Sequence, residues 1–197
     1  MANEKHNTTL YQPKYKICVS GAAETSHCSP GVQEKAEELG RLIAERNMIL
    51  VTGATTGLPY WSAKGAKEVG GIVIGFSPAA SKLAHTNVYN LPLDYHDIVV
   101  YTGFNYSGRN LILTRASDAV ITLCGRMGTL NEFTIAFEDE KPQGVLVGSG
   151  GTSDMLQDII KNAHRGSGKI IFESDPVKLL DGLEKLIKKE EERIIQH

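Results

Sequence analysis

Residues 118–133 read DAVITLCGRMGTLNEF. From Ala119 to Leu123 the run is apolar and β-branched with no polar alternation, the pattern of a strand covered on both faces. A turn bracketed by Gly125 and Gly128 follows, and TLNEFTIAFEDE (129–140) then carries apolar residues at helical spacing. One stretch thus predicts a strand, a glycine turn and a helix. The same unit recurs in both directions along the chain.

Upstream, KICVSG (16–21) reads as a strand and SPGVQEKAEELGRLIAERN (29–47) as a helix, with Ser29 as its cap and Pro30 in its first turn. MILVTGATTG (48–57) is a strand and glycine-rich turn, PYWSAKGAKEVG (59–70) a helix and GIVIGFSP (71–78) a strand. Residues 79–97 show no period and read as a long loop. IVVYTG (98–103) is a strand and NYSGRNLILTRAS (105–117) a helix. Downstream, QGVLVGSGG (143–151) and GKIIFES (168–174) are strands, while 153–165 and 175–193 are helices. Continuous apolar strands alternating with helices predict an α/β, Rossmann-like fold: an open, mainly parallel sheet of about seven strands with helices on both faces. Residues 1–15 read as a polar N-terminal arm, and 16–197 as a single Rossmann-like domain.

The 197 residues suit one domain with its own core. A net charge of −2 leaves no excess of Lys and Arg to neutralise a nucleic acid or an anionic membrane surface. No apolar run reaches the length of a membrane span, and the polar start MANEKHNTTLYQPKYK lacks the apolar centre of a signal peptide. A cytoplasmic location is expected. Cys18, Cys28 and Cys124 show no CxxC spacing and read as small buried hydrophobes. The histidines form no HExxH or HxxxH pair, so neither a metal nor another cofactor is expected.

In open parallel sheets ligands sit beyond the carboxyl ends of the strands, where the strand order reverses. The residues there are small: Gly21 after the first strand, Gly53 and Gly57 after the second, and Gly125, Arg126, Met127, Gly128 and Thr129 after the fifth. Small residues let backbone amides approach a ligand, and a helix start offers unpaired N–H groups to an anion. Neither GxxxxGK[ST] nor a GxGxxG after the first strand occurs, so any phosphate site is built differently. Glu132 lies one turn beyond Thr129. Its T-x-x-E spacing also fits a capping box, and the two readings stand side by side. Arg109, read at the start of the preceding helix, opposes the helix dipole there and is a candidate anion partner.

Gly108-Arg109-Asn110-Leu111, then Asp118 to Leu123, then Gly125, Gly128-Thr129 and Glu132 resemble the LOG (lonely guy) family, the lysine decarboxylase-like Rossmann proteins. That family carries an Arg-Lys pair, a strand and Pro-Gly-Gly-x-Gly-Thr-x-x-Glu. Residues 50–78 are similar to its second-strand segment, and the resemblance runs from about Lys16 to Leu186. Residues 101–123 and GSGGTSDM (148–155) look closer still to a branch related to the molybdenum-cofactor carrier proteins.

The resemblance implies a homodimer or higher homo-oligomer that binds a nucleoside monophosphate or another phosphorylated small molecule. It implies hydrolysis of the N-glycosidic bond of a nucleoside 5′-monophosphate to base and ribose 5-phosphate. Glu132 would be the catalytic carboxylate, and Arg109 would position substrate or stabilise developing charge. Gly125, Gly128 and Thr129 would hold phosphate, and Gly53 and Gly57 would line the pocket. Three positions depart from the pattern. Cys124-Gly125-Arg126 replaces Pro-Gly-Gly, Asn110 replaces the Lys, and Pro59 replaces a Met. These departures keep open the alternative of a non-catalytic carrier or sensor of a phosphorylated ligand such as molybdenum cofactor.

Overall fold

A computed structural model describes residues 13–195 of the chain; most of the polar arm lies outside them. The strands are β1 (Lys16–Gly21), β2 (Ile49–Thr52), β3 (Val73–Ser77), β4 (Ile98–Tyr101), β5 (Ala119–Leu123), β6 (Gln143–Leu146) and β7 (Ile170–Glu173). They form one sheet in the order β4-β3-β2-β1-β5-β6-β7, and every pairing is parallel. The order reverses between β1 and β5, which opens a crevice at their carboxyl ends.

The helices are α1 (Val32–Glu45), α2 (Leu58–Glu68), α3 (Lys82–Asn87), α4 (Asn105–Ala116), α5 (Met127–Glu138), α6 (Leu156–Ala163) and α7 (Pro176–Ile195). None is long and apolar enough to cross a membrane. Side chains alternate across each strand. Ile17 and Val19 of β1 face one way and pack with Val32, Leu39 and Ile43 of α1, Leu58 of α2 and Leu179 and Leu183 of α7. Cys18 faces the other way, with Leu113 of α4 and Ala136 of α5. Ser20, two residues beyond Cys18, therefore turns toward α4 and α5, and that side of the crevice holds the candidate site.

Several local expectations need correction. The 79–97 segment is not all loop: Ser81 caps α3 by accepting from the Ala84 amide at 3.2 Å. Six residues are too few to show a helical period. Ser29 does not cap α1. Gly31 holds that position with φ +78°, while Ser29 and Pro30 form the turn before it. Arg109 is the fifth residue of α4, in its second turn, and is buried, so its role is not set by the helix start. The helical 153–165 segment divides into a 3-10 turn (Gly151–Met155) and α6. Cys28 and Cys124 are not isolated hydrophobes: they form a disulfide across a sequence separation of 96 residues, with Cα atoms 5.7 Å apart. Cys18 is free and buried, as its strand position predicts.

Candidate functional site

A cavity of about 310 Å³ opens at the carboxyl ends of β1, β2 and β5. Its wall brings together Gly21, Gly53, Arg109, Arg126, Gly128, Thr129 and Glu132, all singled out in the sequence. Ser20, Ala22, Thr55, Pro59, Tyr106 and Asn110 complete much of the lining. Gly57, Gly125 and Met127 do not line it.

Gly57 and Gly125 shape the loops instead. Gly57, at φ +73°, precedes α2, and a Cβ there would overlap the Ala22 carbonyl; the next residue, Leu58, donates its amide to that carbonyl at 2.9 Å. Gly125, at φ +97°, turns the chain out of β5, and a Cβ there would press on the Thr129 side chain. Met127 is 72% exposed. Gly21 is tightly seated, with a Cβ placed 3.0 Å from Leu58 Cβ and 3.1 Å from the Leu123 carbonyl.

The start of α5 is bare. Arg126 occupies the N-cap position in an extended conformation, no side chain caps the helix, and no acid lies in its first turn. The first intrahelical bond runs from the Leu130 amide to the Arg126 carbonyl at 3.0 Å, which leaves the Met127, Gly128 and Thr129 amides without an intrahelical acceptor. Gly128 is the one cavity-lining glycine whose Cβ would meet nothing within 4 Å. Its smallness is therefore not demanded by packing. It keeps the helix terminus open to whatever enters the cavity, where unpaired amides and the dipole favour an anion.

Arg109 reaches the cavity from α4. Its Nη1 donates to the Gly53 carbonyl at 2.7 Å and to the Phe76 carbonyl at 3.4 Å. A Cβ on Gly53 would overlap Nη1, so Gly53 is what lets the guanidinium lie across the end of β2. Buried Nε has no partner. Among the described residues no carboxylate lies within ion-pairing distance of this guanidinium. A buried cation bound only to carbonyls is costly unless something anionic approaches it. The Tyr106 ring lies 5.9 Å from the guanidinium carbon.

Glu132 does not form a capping box. It sits in the second turn of α5, buried, and its Oε2 accepts a short hydrogen bond from the Ser20 hydroxyl. Burial pushes its carboxyl above the ordinary range, and the Arg109 charge and the Ser20 hydroxyl pull it back only in part. Asn110 donates to Asn131 Oδ1 at 3.0 Å, while its own Oδ1, like the hydroxyls of Thr114 and Thr122, is buried without a partner. Sequence reasoning had overlooked Ser20 and Tyr106. For Ser20 the signal was available, because a polar residue two positions after Cys18 at a strand end shares its face.

Known proteins resemble this chain over most of its length. An Archaeoglobus fulgidus protein is 35% identical over 126 residues, 64% of this chain and 76% of that protein. The solved molybdenum cofactor binding protein from the phototrophic bacterium Rippkaea orientalis is 28% identical with a TM-score of 0.70, covering 91% of this chain and 98% of that one. The molybdenum cofactor carrier protein from Chlamydomonas reinhardtii is 26% identical with a TM-score of 0.71, covering 89% and 99%. The LOG-type expectation drawn from Arg109, Gly128-Thr129 and Glu132 has its counterpart at family level: with the family model matching residues 14–180, the chain belongs to the SLOG cluster4 family.

Proposed function

We propose that this protein binds a phosphorylated small molecule, either a nucleotide or a phosphate-bearing pterin cofactor of the molybdenum-cofactor type, and holds it without cleaving it. One observation carries the reading. The uncapped start of α5, with Gly128 open to the cavity, faces the same space as buried Arg109, which among the described residues has no carboxylate within ion-pairing distance. Phosphate on the Gly128 and Thr129 amides satisfies that helix end, with Arg126 at the rim as a second cation. The solved relatives whose names record molybdenum-cofactor binding or carriage favour the same class of ligand. The homo-oligomer implied by the family resemblance belongs to the proposal, and light scattering after gel filtration tests it.

Thermal unfolding and calorimetry against AMP, other nucleoside monophosphates and molybdenum cofactor test the binding. Stabilisation by at least one of them is expected. If no phosphorylated compound raises the melting temperature or releases heat, the proposal fails.

Hydrolysis of a nucleoside 5′-monophosphate is the second reading. Its supporting observation is Glu132, a buried carboxyl whose proton affinity is raised, as a general acid or base requires. Incubation with AMP and with N6-modified AMP, followed by assay for free base, decides it. No free base, or release as fast from Glu132→Ala as from wild type, removes this reading and leaves the binding proposal standing.

A further inference from the structure

Next to the cavity, but not lining it, lies a second cluster of reactive groups. His27 and Cys28 belong to the loop after β1, and Cys124 follows β5. Their ligand atoms all lie within 4.8 Å of one another. We propose that these three residues form a redox-gated site for a soft divalent cation of the zinc type, closed while the sulfurs are bonded to each other and open once they are reduced.

The first support is that the scaffold does not depend on the S–S bond. The Cys124 amide donates to Ser149 Oγ at 2.7 Å, and the Cys124 carbonyl accepts from the Ser153 amide at 3.0 Å and from its hydroxyl at 2.5 Å. The Gly125 carbonyl accepts from the Thr152 amide at 3.1 Å. On the other side, Cys28 forms a bridge with Gly150, and the Ser29 amide donates to the Ser149 carbonyl at 3.0 Å. Both cysteines are thus tied to the same segment after β6. Breaking the S–S bond leaves two thiols on backbones that stay adjacent, not two loops drifting apart.

The histidine supplies the second support. Its Nε2 lies 3.6 Å from Cys124 Sγ, close to the nitrogen–sulfur separation of about 3.5 Å across a tetrahedral zinc with Zn–N near 2.0 Å and Zn–S near 2.3 Å. Its Nδ1 lies 3.5 Å from Glu24 Oε2. Glu24 is in turn held by the Ser26 amide at 2.7 Å and hydroxyl at 2.9 Å. A carboxylate behind the distal nitrogen can take the ring proton at Nδ1 and free the Nε2 lone pair for a metal, an arrangement common to metal-binding histidines; in the disulfide form Nε2 faces the Gly125 carbonyl at 3.4 Å, a contact that metal binding replaces. Two sulfurs and one nitrogen leave a fourth tetrahedral position for solvent.

The chemistry balances with a named reductant. A phosphine attacks one sulfur and breaks the S–S bond; water then supplies oxygen to the phosphine oxide and two protons to the thiols. The cation displaces those two protons as its Zn–S bonds form. In a reducing compartment thiols are the standing form of such a pair.

The test uses the full-length protein, reduced with a phosphine, freed of it under anaerobic conditions and titrated with Co²⁺ as the spectroscopic stand-in for Zn²⁺. Reduced wild type is expected to bind stoichiometrically, with thiolate-to-cobalt charge transfer and the visible bands of four-coordinate cobalt. Oxidised protein is expected to show neither. His27→Ala should retain charge transfer while losing about 100-fold in affinity, and Glu24→Gln about tenfold. Cys28→Ser should halve the charge-transfer intensity. Circular dichroism of each sample verifies folding. The proposal is overturned if folded, reduced wild type gives no cobalt charge transfer, if oxidised protein gives the same bands, or if His27→Ala binds as tightly as wild type. None of these outcomes bears on phosphate binding in the cavity.

Discussion

The Ser20 hydroxyl, at the end of β1, donates to the Glu132 carboxylate on α5, and both side chains are buried. The bond spans the crevice where strand order reverses and fixes the carboxylate against the floor of the cavity. Burial nevertheless leaves Glu132 with a folded-state pKa above its unfolded value. Such a group binds its proton more tightly when folded, so ionising it costs stability. That cost is absent below the ordinary glutamate range, near pH 4, grows as pH rises through the raised folded pKa, and is complete above it. Glu132→Gln should therefore melt higher than wild type at about pH 8, by roughly 2–4 °C for each ~1 kcal/mol of cost removed. The gap should close as pH falls toward about 4. A gap that is constant with pH, or of opposite sign, contradicts this account.

Gly128 separates fold from ligand. It lies in the first turn of α5 with open space where a Cβ would go. Gly128→Ala should gain roughly 0.5–1 kcal/mol from helix propensity, seen as a melting temperature higher by about 1–4 °C. The added methyl also crowds the amides proposed to hold phosphate, so ligand-induced stabilisation should fall. A variant that melts higher and still binds AMP or molybdenum cofactor as wild type does would place the phosphate elsewhere.

Arg109 and Gly53 should fail together. Arg109→Lys keeps the charge but loses the planar fork that reaches the Gly53 and Phe76 carbonyls. A loss of about 10–100-fold in affinity for the phosphorylated ligand is expected, the equivalent of ~1.5–3 kcal/mol for a hydrogen bond to a charged group. Gly53→Ala should produce a comparable loss with no change in charge, because its methyl takes the place of Nη1. Calorimetry on both variants checks the pair, and unchanged affinity in Gly53→Ala shows that Arg109 need not lie across β2.

The Cys28–Cys124 bond closes a loop of nearly half the chain. Reduction before any metal is added should lower stability by about 2–4 kcal/mol, mainly by freeing the unfolded chain, a fall on the order of 10 °C. Identical melting curves with and without reductant, with free thiols confirmed by titration in the reduced sample only, would remove the predicted stabilisation.

Strand and helix alternation was legible because a parallel sheet covered on both faces writes continuous apolar runs, as Ala119–Leu123 shows. The meeting of Arg109, Gly128, Thr129 and Glu132 was legible because strand ends share one edge of such a sheet. What escaped was set by contacts distant in sequence. Nothing local marks Cys28 as the partner of Cys124; strand alternation gives the face of Ser20, but not that Glu132 is the group it meets there. The start of α4 at Asn105 was legible, but that Arg109, its fifth residue, turns inward to the Gly53 carbonyl was not. Gly31 took the N-cap of α1 from Ser29 because the turn before it is tied to the segment after β6, through the Ser29 amide and the Ser149 carbonyl.

The cavity has no local existence in the chain. Ser20, Gly53, Arg109 and Glu132 come from four separate stretches and converge only when β1, β2, α4 and α5 are all in place. An unfolded or half-folded chain presents none of that geometry. Occupancy is thus linked to the cooperative unit as a whole: at a hundredfold excess over its dissociation constant, a ligand adds about 2.7 kcal/mol to the stability of the entire sheet. Protease resistance and amide exchange in β6 and β7, which contribute nothing to the cavity wall, should report whether the site is filled.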